Sequence, residues 1–131
     1  MTSTATTYSS SLNSLLAGML ARTPGSVHAV LATVDGVSVA VSAGLPPDRA
    51  EQLATIGAGL LSIADGAGVM MNTGAPRHVM VEMYGGLTLA APVAPRVVLS
   101  LLAAQDADRE RLGFELAQFA GQLAPLVAHI R

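Results

Sequence analysis

The side chains that could do chemistry are few in this 131-residue chain. It has three histidines, nine acidic residues, seven arginines, no lysine and no cysteine. Without cysteine there is no disulfide scaffold, no thiolate metal site, no iron–sulfur cluster and no thiol nucleophile. His28, His78 and His129 stand far apart, in neither an HExxH nor an HxH pattern. A metal needs two or more ligands that converge, so no metal is expected. No Gly-x-Ser-x-Gly elbow is present to carry a serine nucleophile. Gly57-Ala58-Gly59 and Gly66-Ala67-Gly68 are the glycine-rich spots. A phosphate-binding loop needs a strand before it, a helix after it and a Lys-Ser/Thr pair. Both spots read instead as packing and helix termination. Glu82 and Glu115 are lone acids, and Asp35 is first a turn residue. Arg49 and Arg77 lie nearest the expected interaction surfaces. An arginine supplied in trans can stabilise phosphoryl-transfer charge, but a structural or solvated role is the simpler reading. The expectation is a non-enzyme with no catalytic residue and no cofactor.

Composition explains what the chain has in place of chemistry. Hydrophobic residues make up 51%, aromatic residues 3% and charged residues 12%. The charged share is about half the usual quarter, so some apolar surface must stay exposed, to be covered by a partner or another copy. Net charge is −2 and the arginines are scattered; no basic stripe tracks a phosphate backbone, which argues against nucleic acid. No run approaches the roughly 18 consecutive apolar residues of a membrane span. The start, MTSTATTYSSSLNS, has neither the basic nor the apolar region of a secretory signal. A cytoplasmic location is the default, with any membrane recruitment through partners.

The elements that must position these surfaces follow from periodicity. Residues 1–10 are Ser/Thr-rich and read as a disordered tail, ahead of a single domain over 11–131. Leu12, Leu15, Leu16, Met19 and Leu20 mark one face of a first helix, capped by Ser10 or Ser11 and stopped by Pro24-Gly25. Val27 to Val34 and Val37 to Ser42 read as strands around Asp35-Gly36, a two-residue turn with positive φ at both positions. Val37, Val39 and Val41 form the expected buried side of the return strand.

Pro46-Pro47-Asp48 opens a middle helix, Pro47 to Asp65, and Gly66, Gly68 and Gly74 lead out of it. It carries two stripes. Leu53, Ile56, Leu60 and Ile63 are bulky and are expected to rest on the sheet. Ala50, Ala54, Gly57, Ala58 and Leu61 are mostly small and are expected to pack on a second copy, since small residues let backbones approach. Arg77 to Met83 is the third strand, with Val79, Val81 and Met83 on one face. Leu87 to Ala90 returns after Gly85-Gly86, while Pro92 and Pro95 predict an irregular loop. Val97 to Leu102 is a continuous apolar run, as in a central strand. A last helix starts near Asp106, with Leu112, Leu116, Phe119, Leu123, Leu126 and Ile130 inward; Pro125 should kink or end it. The order α-β-β-α-β-β-β-α gives an α+β domain, an antiparallel sheet with helices on its faces.

In that order, LNSLLAGMLARTPGSVHAVLATVDG (Leu12 to Gly36), AEQLATIGAGLLSIADGAG (Ala50 to Gly68) and RHVMVEMYGG (Arg77 to Gly86) resemble the Roadblock/dynein light-chain family. The similarity is to bacterial members encoded beside Ras-like small GTPases, often with a sensor-kinase-like protein. It implies a profilin-like, five-stranded antiparallel sheet in order 2-1-5-4-3, the middle helix on one face and the terminal helices on the other. It also implies a homodimer, with the third strand (Arg77, Val79, Val81, Met83) pairing with its copy and the middle helices side by side. Arg49, Gln52, Thr55 and Gly59, on the same helix, are then candidate contacts for a GTPase partner. APVAPR, Ala91 to Arg96, departs from the glycine-bearing turn of similar proteins.

Three functions follow as expectations. The first is a homodimeric regulator that binds a Ras-like GTPase and modulates its nucleotide cycle in signalling. The second is a scaffold that recruits a sensor-kinase-like partner without changing GTP turnover. The third is a small-ligand sensor with a pocket between sheet and helix, disfavoured because few polar residues converge.

Overall fold

The structure is a computed structural model and describes residues 3–130. Its elements are α1 (Ser3–Arg22), β1 (Ser26–Thr33), β2 (Ser38–Val41), α2 (Pro47–Met70), β3 (Val79–Met83), β4 (Gly86–Ala94), β5 (Val97–Ala103) and α3 (Arg109–Val127). The five strands form one sheet in order β2-β1-β5-β4-β3, and every neighbouring pair is antiparallel. The fold is therefore the expected profilin-like α+β arrangement. The apolar run of β5 sits at its centre, buried at all but one position.

Both faces of the sheet are covered. Against one, Leu12, Leu16 and Met19 of α1 and Leu112, Leu116, Phe119 and Leu123 of α3 close on Leu31, Leu87, Leu89 and Leu99. Against the other lies α2, over Val30, Ala32, Ala90 and Val98. This double cover overturns the expected sidedness of β2. Ala40 in the strand and Ser42 just after it are buried, Val39 and Val41 are half-buried, and Val37, before the strand, is exposed.

The expected tail is helical from Ser3, and residues 1–2 lie outside the described residues. Ser10 and Ser11 are thus interior helix positions and not caps. The reason is Tyr8, which packs against the α1–α3 core. Its hydroxyl donates to the Leu126 carbonyl at 2.8 Å, and its ring meets His129 edge-on at 5.5 Å. Partial burial raises the Tyr8 pKa.

The β1–β2 turn has three residues, Val34-Asp35-Gly36. The Gly36 N–H donates to the Thr33 carbonyl, and the Thr33 N–H to the Val37 carbonyl, both at 2.9 Å. Only Gly36 has positive φ, at 86°. A tight turn followed by one left-handed glycine satisfies the right-handed twist with a bulge in place of two left-handed residues.

α2 does not leave the sheet at Asp65. It continues through Gly66 and Gly68 to Met70 and ends with Asn72 at φ 58°. The Thr73 N–H reaches the Gly68 carbonyl and the Asn72 N–H the Val69 carbonyl, so the paired bonds of a left-handed C-terminal cap satisfy the last carbonyls. Gly68 is required by close approach: a Cβ there would stand 2.0 Å from the Gly74 carbonyl oxygen.

Pro92 does not break β4 either. The strand runs on to Ala94 with a bulge between Pro92 and Ala94, and Pro95-Arg96 is a tight turn. The last β3–β4 pair is Val79 with Ala90. Pro92 lies beyond it, at a bulge, where a missing N–H is tolerated. In α3 the Asp108 side chain accepts from the Arg111 N–H at 3.1 Å and caps the helix. Its regular part ends two residues after Pro125. There Val127 is buried, whereas Leu126 is 42% exposed.

Ser100 lies at the centre of the sheet, fully buried under α2, and its hydroxyl has no hydrogen-bond partner. An unpaired buried hydroxyl costs about 1–3 kcal/mol. Ser100→Ala is therefore expected to be neutral or stabilising by up to about 1 kcal/mol, read as an unchanged or raised denaturant midpoint.

Candidate functional site

The two stripes of α2 are placed opposite to the expectation. Ala50, Ala54, Gly57 and Leu61 are buried within the protomer, against its own sheet. A Cβ on Gly57 would fall 1.8 Å from the Ser100 hydroxyl oxygen. Of the bulky stripe only Leu53 is buried; Leu60 is half-buried, and Ile56 and Ile63 are 52% and 74% exposed. The physical reason is the floor. Ala90 and Ser100 are small, so a small-residue helix face can descend onto them and bury backbone as well as side chains. Bulky residues on that side would hold the helix away. The stripe assigned to a dimer partner is thus unavailable to one, apart from half-buried Ala58.

What remains exposed is apolar surface on α2 and on β3, two elements that meet at Leu61 and Val79. At 100° per residue, Ile56, Leu60, Ile63, Ala67 and Met70 share one flank of α2. On the sheet below, the paired rows Val30–Ser100–Ala90–Val79 and Leu102–Thr88–Val81 place Val79 and Val81 on the α2 side. Val79 packs against the Leu61 cluster, and both valines are half-buried. Met83 is 47% exposed, and Tyr84, at the hairpin tip, is fully exposed. Val69, Met70 and Met71 add apolar surface at the α2 C-terminus.

The two sheet edges differ in kind. On β2 the outward Val41 N–H is taken by the Asn13 side-chain oxygen of α1 at 2.9 Å. That protects a four-residue edge strand. Among the described residues, β3 pairs only with β4 and has no strand on its other side. Its Glu82 binds Arg109 at the start of α3, which ties the strand to the protomer without covering its edge. Arg77 lies just before β3, exposed and without an ion pair among the described residues. Arg49, Gln52, Thr55 and Gly59 are all exposed on α2. Thr55 borders the β1–β2 turn, where its Oγ1 faces Gly36, so it stands apart from the Ile56–Ile63 flank.

Sequence reasoning named the edge strand but missed Ile56, Ile63 and Tyr84 as surface residues. The signal for the two isoleucines was present in their spacing; their direction was set by what lay beneath the helix.

Chemically this surface offers backbone hydrogen-bonding groups and apolar area. Among the described residues no group of three or more His, Asp or Glu is placed to hold a metal. α2 has the length and composition of a membrane-crossing helix, but one side of it is packed on the sheet.

Fold and surface together define a profilin-like α+β domain with an exposed apolar helix flank and an open sheet edge. The chain belongs to the Roadblock/LC7 domain family, whose model matches residues 12–103. A crystal structure of a Roadblock/LC7 domain from Streptomyces avermitilis is 32% identical with a TM-score of 0.81, covering 88% of this chain and 96% of that one. MglB of Myxococcus xanthus has the same fold at 13% identity and a TM-score of 0.77, covering 89% and 87%. Profilin IB of Acanthamoeba castellanii is similar at 14% identity and a TM-score of 0.62, covering 86% and 96%. No curated protein gives a match.

Proposed function

We propose that this protein is a cytoplasmic homodimeric regulator that acts by binding a Ras-like small GTPase and modulating its nucleotide cycle. The observation that carries the reading is that one protomer leaves both the Ile56–Ile63 flank of α2 exposed and the edge of β3 open. Pairing two β3 edges joins two sheets into one and brings the exposed α2 flanks together. A two-fold contact of this kind satisfies backbone groups and apolar surface at once. The α2 layer of the dimer, with Arg49, Gln52 and Gly59 exposed on it, then meets the GTPase. The family resemblance to bacterial members encoded beside such GTPases supports this partner.

Glu82→Pro removes an outward-facing N–H from the free edge of β3, because Val79, Val81 and Met83 direct theirs at β4. Weaker self-association in sedimentation is expected, with circular dichroism confirming a folded protomer; unaltered association would exclude the edge. Mixing the dimer with a bacterial Ras-like small GTPase, in GDP and GTP states, tests the partner. Complex formation with altered GTP turnover is the expected result. Complex formation with unchanged turnover would favour a scaffold that recruits a sensor-kinase-like protein. Absence of a complex in both states would overturn the reading.

A further inference from the structure

A second concave surface lies on the other flank of α2, where the helix passes the β4–β5 turn. The groove has a volume of about 330 Å³. Leu61 and Val98 form a buried apolar floor, and Pro92 and Pro95 wall one side. Ser62 and Asp65 stand on the helix rim. Asp65 makes no ion pair among the described residues, whereas Arg96 of the adjacent turn is held by Asp35 at 3.1 Å. The rim therefore presents uncompensated negative charge beside an apolar floor.

We propose that this groove docks an extended segment of a partner protein, one that inserts an aliphatic side chain next to an arginine or lysine. Three features select that guest. The aliphatic group matches the floor, and the cation matches Asp65. The extended backbone matches β4, which runs past its last pair with β3 and leaves the Pro92 carbonyl without a strand on that side. Edge addition of an extended segment uses such free backbone groups, while a side-chain pocket gives selectivity. A free small molecule is a poorer match. The volume is at the lower end of the roughly 300–1,000 Å³ of ligand pockets, and both polar side chains sit on one rim, so little would fix its orientation.

The segment APVAPR, Ala91 to Arg96, supplies both proline walls. Ser62 and Asp65 point away from Ile56 and Ile63 around the helix, so the inference stands apart from the proposed self-association.

The test is amide NMR of the isotopically labelled full chain, titrated with the capped tripeptides acetyl-Ala-Leu-Arg-amide and acetyl-Ala-Leu-Glu-amide. Shifts are expected at Ala58, Ser62 and Val98, with the glutamate peptide about threefold weaker, the size of an exposed ion pair. Asp65→Asn is expected to remove that difference. Ser62→Trp is expected to fill the groove and abolish both responses, with an unchanged far-ultraviolet spectrum. Equal binding of the two peptides by the unmodified chain, or shifts confined to the Ile56–Ile63 flank, would overturn the proposal. So would isopentylamine binding as tightly as the arginine peptide.

Discussion

Gly57→Leu is expected to destabilise the protomer itself, by about 3 kcal/mol or more, at the upper end of what overpacking a filled site costs. Even alanine at this position would bring its Cβ within 1.8 Å of the Ser100 oxygen and 3.0 Å of the Ser100 Cβ. Ser100 is fully buried in the central strand, so it cannot move aside into solvent. α2 must lift, and lifting it uncovers Ala50, Ala54 and Leu61 along its length. Gly57→Ala gains about 1 kcal/mol of helix propensity and is still expected to lose about 1–2 kcal/mol overall, because overpacking outweighs that gain.

Gly66→Ala in the same helix is the control. Nothing lies within 4 Å of a Cβ there, and it should stabilise by up to about 1 kcal/mol. Chemical denaturation of the three variants reads the result. Combining Gly57→Ala with Ser100→Ala should recover part of the loss, because the nearest clashing atom is gone. A fully stable Gly57→Leu protein would mean that α2 does not sit on its sheet as described.

Ile63→Glu addresses the exposed flank. Ile63 is 74% exposed in the protomer, so its replacement should alter folding stability by no more than about 0.5 kcal/mol. Two copies meeting through this flank would instead bury an unpaired carboxylate from each side. An unpaired charge at an interface costs about 2–5 kcal/mol, so the dimer should weaken roughly 30-fold or more. Sedimentation across a concentration series measures this. Phe114→Glu is the control, at a 61%-exposed residue of α3 on the opposite layer, and it should leave association unchanged. Equal association of Ile63→Glu and the unmodified chain would exclude the α2 flank from the contact.

Local periodicity and turn chemistry carried much of the fold. The order of elements, the central place of Val97 to Leu102 and the inward face of α3 through Leu123 follow from residue spacing alone. Boundaries failed where a distant contact decided them. Tyr8 makes helix of a Ser/Thr-rich segment because it reaches Leu126, 118 residues away. Gly66 and Gly68 look like helix ends in a local reading, but Gly68 admits the returning loop at Gly74. Pro92 is compatible with a strand because β3 stops short of it.

The candidate site divides in the same way. Composition alone implied that apolar surface would stay exposed: only 12% of the residues are charged, and Ile56, Ile63 and Tyr84 are among those left outside. The two apolar stripes of α2 were also present in the sequence, since 3.6-residue periodicity is a local property. Which stripe turns inward was decided only by tertiary structure, because it depends on the sizes of Ala90 and Ser100, which follow α2 in the chain and reach it only when the sheet assembles. Small residues there draw the small stripe down and leave Ile56 and Ile63 facing out.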